Sequence, residues 1–134
     1  MSLENVELVH RSLEAFNEGG LAADEILDPE VVFDQSRSPF PDKGVYEGID
    51  GVRRWFAGLA DAFGDIHYEI ERTQDLGEQV AVLLHVRGRG PGSGIEVDYR
   101  FVPLVTLRGG KVLRMDRFNE WDEALEAAQQ SGGA

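Results

Sequence analysis

The hydrophobic period of this chain changes once, near residue 66, and that single change restricts the folds open to it. Before it, apolar residues recur at helical spacing. Val6, Val9, Leu13 and Phe16 fall on one face of a helix over 3–18, which Ser2 can cap and Gly19-Gly20 stop. Val52, Trp55, Phe56, Leu59 and Phe63 make a wide stripe along a second long helix over 50–64, with Asp50 as its cap. After it, Ile66, Tyr68 and Ile70 alternate with His67, Glu69 and Glu71, the two-residue period of a strand. Further strands are expected over 79–87, 95–107 and 111–118, and a short amphipathic helix over 122–130. A short helix with Leu21, Ile26 and Leu27, ended by Asp28-Pro29, and a brief strand over 31–34 complete the first half. Helices first and an antiparallel meander afterwards is an α+β order, because a doubly wound sheet needs the two to alternate.

The joints carry their own chemistry. Residues 88–94 are glycine-rich but lack a Gly-Lys-Ser/Thr ending and open a strand, so they form a hairpin and not a phosphate loop. Gly109-Gly110 is a two-residue hairpin that needs positive φ. Pairing Arg108 with Lys111 then sets Val105 opposite Arg114, Pro103 opposite Asp116 and Phe101 opposite Phe118. One face accordingly carries Tyr99, Phe101, Pro103, Val105, Leu107, Val112, Arg114, Asp116 and Phe118. The other carries Asp98, Arg100, Val102, Leu104, Thr106, Leu113, Met115 and Arg117. Both faces are partly apolar. The first receives the helices. The second is expected either to meet a second copy of the chain in a homodimer or to lie under a loop.

Several classes of function are disfavoured. The formal charge of −12, from 25 acidic and 13 basic side chains, opposes binding to nucleic acid or to anionic membranes. No cysteine is present, and His10, His67 and His85 lack metal-ligand spacing, so neither a metal nor another cofactor is expected. The first residues show no basic and apolar leader, and no apolar run approaches the roughly 18 residues of a membrane span, which together suggest a cytoplasmic protein. At 134 residues, one domain over 1–130 with a frayed tail at 131–134 is expected.

The order of elements, with Val31-Val32-Phe33-Asp34, Tyr46-Glu47-Gly48-Ile49-Asp50-Gly51-Val52-Arg53-Arg54-Trp55-Phe56 and Gly110-Lys111-Val112, resembles the SnoaL-like branch of the nuclear transport factor 2-like superfamily. The resemblance spans nearly the whole chain and rests on glycine placement and apolar spacing. It implies a cone-shaped α+β fold, a curved antiparallel sheet wrapped around the N-terminal helices with an internal pocket for a small, mostly apolar molecule. The superfamily holds ketosteroid isomerases, polyketide cyclases, epoxide hydrolases and non-catalytic binders, so the fold alone does not choose a reaction.

Against the isomerases, Asp34 takes the place of the general base, while Ser12 and Pro103 stand where the oxyanion tyrosine and the protonated aspartate would be. The tyrosine and the aspartate are thus missing, and a proline cannot donate from its side chain while its ring removes the backbone donor too. Against the epoxide hydrolases, Asp98-x-Arg100 reverses the expected order. Against the cyclases, which use a His and an Asp on late strands, His85 and Asp116 are the nearest candidates.

The candidate site is therefore Asp34 as base, with Arg114 and Asp116 as polar anchors. Trp55, Tyr99, Phe101, Pro103, Val105, Phe118 and His85 form the substrate-binding wall. Each has a structural alternative. Asp34 can cap a turn, Arg114 and Asp116 can form an internal salt bridge, and His85 can be a packed side chain. Two functions follow, a cofactor-free isomerase, cyclase or lyase, and a non-catalytic dimeric binding or scaffold domain.

Overall fold

The computed structural model describes residues 2–17, 26–39, 43–62, 65–89 and 96–132. In chain order these give α1 (Ser2–Asn17), β1 (Leu27–Asp34), β2 (Val45–Glu47), α2 (Gly48–Ala62), β3 (Asp65–Asp75), β4 (Gln79–Arg89), β5 (Glu96–Arg108), β6 (Lys111–Phe118) and α3 (Trp121–Gly132). The strands build one curved, unclosed sheet in the order β2-β1-β6-β5-β4-β3, antiparallel except where β1 runs parallel to β6. The α+β architecture expected from the change of period is thus the one observed. The short helix expected around Leu21 and the stop at Gly19-Gly20 fall outside the described residues. Leu27 and Asp28-Pro29, expected to end that helix, instead open β1. The β1–β6 register slips between Leu27 and Val32, around the proline that has no N–H to give.

α1 and α2 lie on the concave face. Leu8, Val9 and Leu13 from α1 and Val52 and Trp55 from α2 are buried against Phe33, Tyr68, Leu84, Phe101, Val105 and Met115 of the sheet. α1 is further fixed by hydrogen bonds from Asn5 Nδ2 to the Gly77 carbonyl (2.9 Å) and between His10 Nε2 and Thr73 Oγ1 (3.0 Å). Gly48, at φ 74°, turns β2 directly into α2, which a side chain would resist. Asp50 consequently sits inside the first helical turn, not ahead of it as its cap.

The hairpin forms as expected, with φ of 59° and 78° at Gly109 and Gly110 and Arg108 opposite Lys111. Leu107 then faces Val112, but Thr106 faces Arg114, so Leu113 is one extra residue on β6. That bulge reverses the parity of everything beyond it, because strand side chains alternate with a period of two. Val105 faces Met115, Leu104 faces Asp116, Pro103 faces Arg117 and Val102 faces Phe118. The expected placing of Arg114, Asp116 and Phe118 on the helix-covered face is corrected here: they point to the convex face, and Met115 and Arg117 point inward. The β5 half of the assignment stands.

The convex face is not left bare. Ala124 and Ala128, one helical turn apart on α3, let that helix settle onto Ala81, Val102, Leu104 and Phe118, with Trp121 and Leu125 packed around them. Among the described residues the one large hydrophobic group counted as exposed is Val45, at the edge of the sheet. The apolar surface that suggested either a partner copy or a covering loop is covered by the chain's own last helix. Burying such a patch contributes roughly 25 cal/mol per Å². Deleting residues 121–134 should therefore leave the convex face wet and make the chain self-associate in sedimentation; a truncated chain as stable and as small as expected from its mass would contradict this packing.

Candidate functional site

Between α1, α2 and the concave face lies a largely enclosed cavity of about 50 Å³. Its wall is contributed by Val9, Ser12 and Leu13 of α1, Trp55 of α2, Leu27 and Phe33 of β1, Tyr68 and Leu84 of β3 and β4, and Phe101, Pro103, Val105, Val112 and Met115 of β5 and β6. Phe33 and Trp55 meet edge-to-face with ring centroids 5.3 Å apart, which fixes one side of the hollow. Pro103 lies within the central strand β5, and β4–β5 pairing is interrupted there, between Ala81 opposite Leu104 and Leu84 opposite Phe101. The Ser12 hydroxyl donates to the Val9 carbonyl at 2.9 Å, so its proton is already engaged within α1.

Of the residues nominated from the sequence, Trp55, Phe101, Pro103 and Val105 line this cavity. Tyr99 is on the same face but beyond the lining, its ring 6.1 Å from that of Phe101. Phe118 belongs to the convex face, under α3 and with the Arg37 guanidinium 4.3 Å over its ring. His85 also points outward, since its neighbours Leu84 and Val86 belong to the concave core. Its Nε2 lies 2.6 Å from Asp98 and its Nδ1 3.7 Å from Glu71, which in turn holds Arg100 through two oxygens. These contacts hold both carboxylates below their ordinary values, Glu71 chiefly through Arg100 and Asp98 chiefly through His85. The network reads as the packed, hydrogen-bonded alternative for His85.

Asp34, Arg114 and Asp116 do come together, but not in the cavity. Asp34 and Asp116 are adjacent in the parallel β1–β6 register, and both face outward, opposite to the buried Phe33 and Met115. Arg114 Nε donates to both oxygens of Asp116 at 3.0 Å, and its terminal nitrogen reaches Asp34 at 3.3 Å. Asp34 Oδ1 also accepts the Ser36 hydroxyl (2.6 Å) and the Ser36 amide (3.0 Å), the turn-capping arrangement. Partial burial raises the Asp34 pKa, but the Ser36 hydrogen bonds and the charges of Arg37 and Arg114 outweigh it and hold the group below 3.8. Beside Arg114 and Asp116 an open groove of about 580 Å³ runs along the convex face, bordered by Leu104, Thr106, Phe118 and Ala127.

Two polar side chains that the sequence reading did not single out stand behind the cavity wall. Gln35, fully buried, follows Asp34 and turns inward, its Nε2 3.6 Å from the sulfur of Met115. Arg117 is 3% exposed, with its guanidinium 4.3 Å over the Phe101 ring and 5.6 Å from that of Tyr99. The signal that could have found Arg117 was the bulge, and a Leu at 113 gives no composition cue for one. No cluster of metal-ligating side chains occurs among the described residues.

Comparison with known proteins adds the following. The SnoaL-like domain model matches residues 9–115. No curated protein sequence matches. Among solved structures, TerC co-crystallised with polyporic acid superposes with a TM-score of 0.75 at 19% identity, covering 92% of this chain and 96% of that one. A putative SnoaL-like polyketide cyclase from Jannaschia sp. CCS1 gives 0.73 at 24% identity, covering 94% and 92%. An NTF2-like protein of unknown function from Burkholderia pseudomallei K96243 gives 0.76 at 19% identity, covering 94% and 95%. At these identities the likeness is one of fold.

Because the folded-state pKa of Asp34 is depressed, the stability it confers is present above its ordinary value of 3.8 and is lost as pH falls through the lower folded value. Asp34→Asn should cost about 1 kcal/mol in urea unfolding at pH 7, as for a partly exposed ion pair. The gap should narrow steadily as pH is lowered below 3.8, as the native carboxyl takes up its proton. A gap that does not change with pH would contradict this electrostatic assignment.

Proposed function

The chain belongs to the SnoaL-like domain family, and we propose that it binds a small, mostly apolar molecule in the cavity between the concave sheet face and α1 and α2. The observation that carries this is a largely enclosed apolar hollow in the core, lined by Trp55, Phe101, Pro103 and Val105 among others. Interiors normally pack with few voids larger than a water, so a retained apolar hollow is a place where a ligand gains dispersion contacts at little cost. The likeness to TerC, a protein crystallised with polyporic acid, points the same way. A cavity of about 50 Å³ is well below the roughly 300 Å³ of a drug-sized site, so the ligand is small or the wall moves to admit it. Met115 is the lining residue best able to move, being unbranched and polarizable.

Binding without chemistry is the reading the geometry supports best. A general base must come within hydrogen-bond reach of the proton it abstracts, and Asp34 points away from this hollow. Its lowered pKa also makes it a weak base near neutrality. A catalytic role for Asp34, Arg114 and Asp116 would have to be played in the convex-face groove that Arg114 and Asp116 border. Dimerisation and a cytoplasmic location remain compatible with this reading, and neither is needed for it.

Toluene, followed through side-chain NMR shifts, is a direct probe of the hollow. It should perturb Leu84 and Met115 saturably in the wild-type chain and in Asp34→Asn, with affinities within about twofold of each other. Val105→Phe should abolish the effect while costing about 1–3 kcal/mol of stability through overpacking. Loss of binding in Asp34→Asn, or unchanged binding in a folded Val105→Phe chain, would remove the cavity as the site.

A further inference from the structure

We propose that Gln35 and Arg117 form the polar end of this cavity and select a ligand that carries an anionic oxygen and a hydroxyl on an apolar ring, a small hydroxylated aromatic acid in chemical class. The inference rests on the cavity being the ligand site and specifies what that site prefers.

Both residues stand directly behind the cavity wall, each against one lining side chain. Gln35 Nε2 lies 3.6 Å from the Met115 sulfur, and the Arg117 guanidinium lies 4.3 Å over the Phe101 ring; Met115 and Phe101 are both lining residues. On β6, Met115 and Arg117 are two residues apart on one face, and Gln35 continues β1 just past the position paired with Asp116. In this proposal the Met115 thioether swings aside to open the hollow towards Gln35, and the ligand's acidic end passes the edge of the Phe101 ring to meet Arg117.

Gln35 is fully buried, yet its Oε1 has no hydrogen-bond partner among the described residues, and its amide nitrogen meets a sulfur, a weak acceptor. An orphaned buried amide oxygen costs on folding what a lost hydrogen bond costs, which makes it a receptor for a donor that arrives later. A ligand hydroxyl suits it whichever way the amide is turned, since a hydroxyl both donates and accepts. Arg117 carries five N–H donors on a planar fork, enough to hold a ligand oxygen besides its contacts within the protein. Stacked on Phe101 and near Tyr99, the cation is kept in place by the aromatic faces. The chain as a whole carries −12, so a preference for an anion cannot arise from its overall field and has to come from a local cation.

The test is a pair of probes on the intact chain, 3-hydroxybenzoate and its neutral amide 3-hydroxybenzamide, titrated by NMR with the Met115 methyl as reporter. The wild-type chain should bind the acid at least tenfold more tightly. Arg117→Met, which keeps the length and removes the charge, should bring that ratio to about one while the amide still binds. Gln35→Met should weaken 3-hydroxybenzoate several-fold and leave benzoate, which lacks the hydroxyl, unchanged. Should Arg117→Met fail to fold, the wild-type ratio and Gln35→Met decide the matter. Equal affinity for acid and amide in the wild-type chain, or an acid preference that survives in folded Arg117→Met, would overturn the polar end and leave the cavity standing. Failure of every probe to bind would remove the cavity as a ligand site and this proposal with it.

Discussion

One extra residue in β6 decides which side chains this protein shows to its interior. Leu113 bulges out of the β5–β6 ladder, and beyond it the alternation of the strand is reversed. Met115 and Arg117 turn towards the helices, while Arg114, Asp116 and Phe118 turn towards α3. Without the bulge, the Asp116 carboxylate and the Arg114 guanidinium would turn towards the apolar hollow, where charge is costly to bury. With it, the ion-paired set is held at the outer surface, and Arg117, turned inward, is packed against aromatic rings.

The two faces of the sheet consequently do different work. The concave face, with α1 and α2, makes a cavity whose wall is largely apolar and behind whose wall stand Gln35 and Arg117. The convex face is closed in its middle by Ala124 and Ala128 of α3 and laced at its margins by polar contacts, the Asp34–Arg114–Asp116 ion pairs on one side and the Glu71–Arg100 ion pair with the His85–Asp98 hydrogen bond on the other. Such exposed pairs add little stability individually; they keep the margins of the face soluble and fix which way the strands' polar edges point.

The architecture was legible because it rests on periods. Val9 and Leu13, Val52 and Trp55, and the alternation around Tyr68 all lie on the faces that spacing assigns them. The SnoaL-like resemblance rested on the same features and on glycine placement, and the family match bears it out. The hairpin was legible too, since Gly109-Gly110 leaves few other turns. The site was only half legible. Trp55, Phe101, Pro103 and Val105 precede the bulge or lie on a helix, and their placing holds. Arg114, Asp116 and Phe118 follow it, and no propensity marks Leu113 as the residue to be skipped. The chemistry of His85 suggests a wall residue, but strand alternation between Leu84 and Val86, both on the concave face, turns it outward. Gln35 carries no reactive group to draw notice beside Asp34, yet it is the one that is buried.

The parity of β6 is therefore the claim on which the cavity, the polar end and the convex cover all depend. It is best tested by nuclear Overhauser contacts of the Met115 methyl group, which is readily assigned because the chain has only 2 methionines. The account predicts contacts to the rings of Phe33 and Phe101. Contacts to the methyls of Ala124 and Ala128 in their place would put Met115 on the convex face and contradict it.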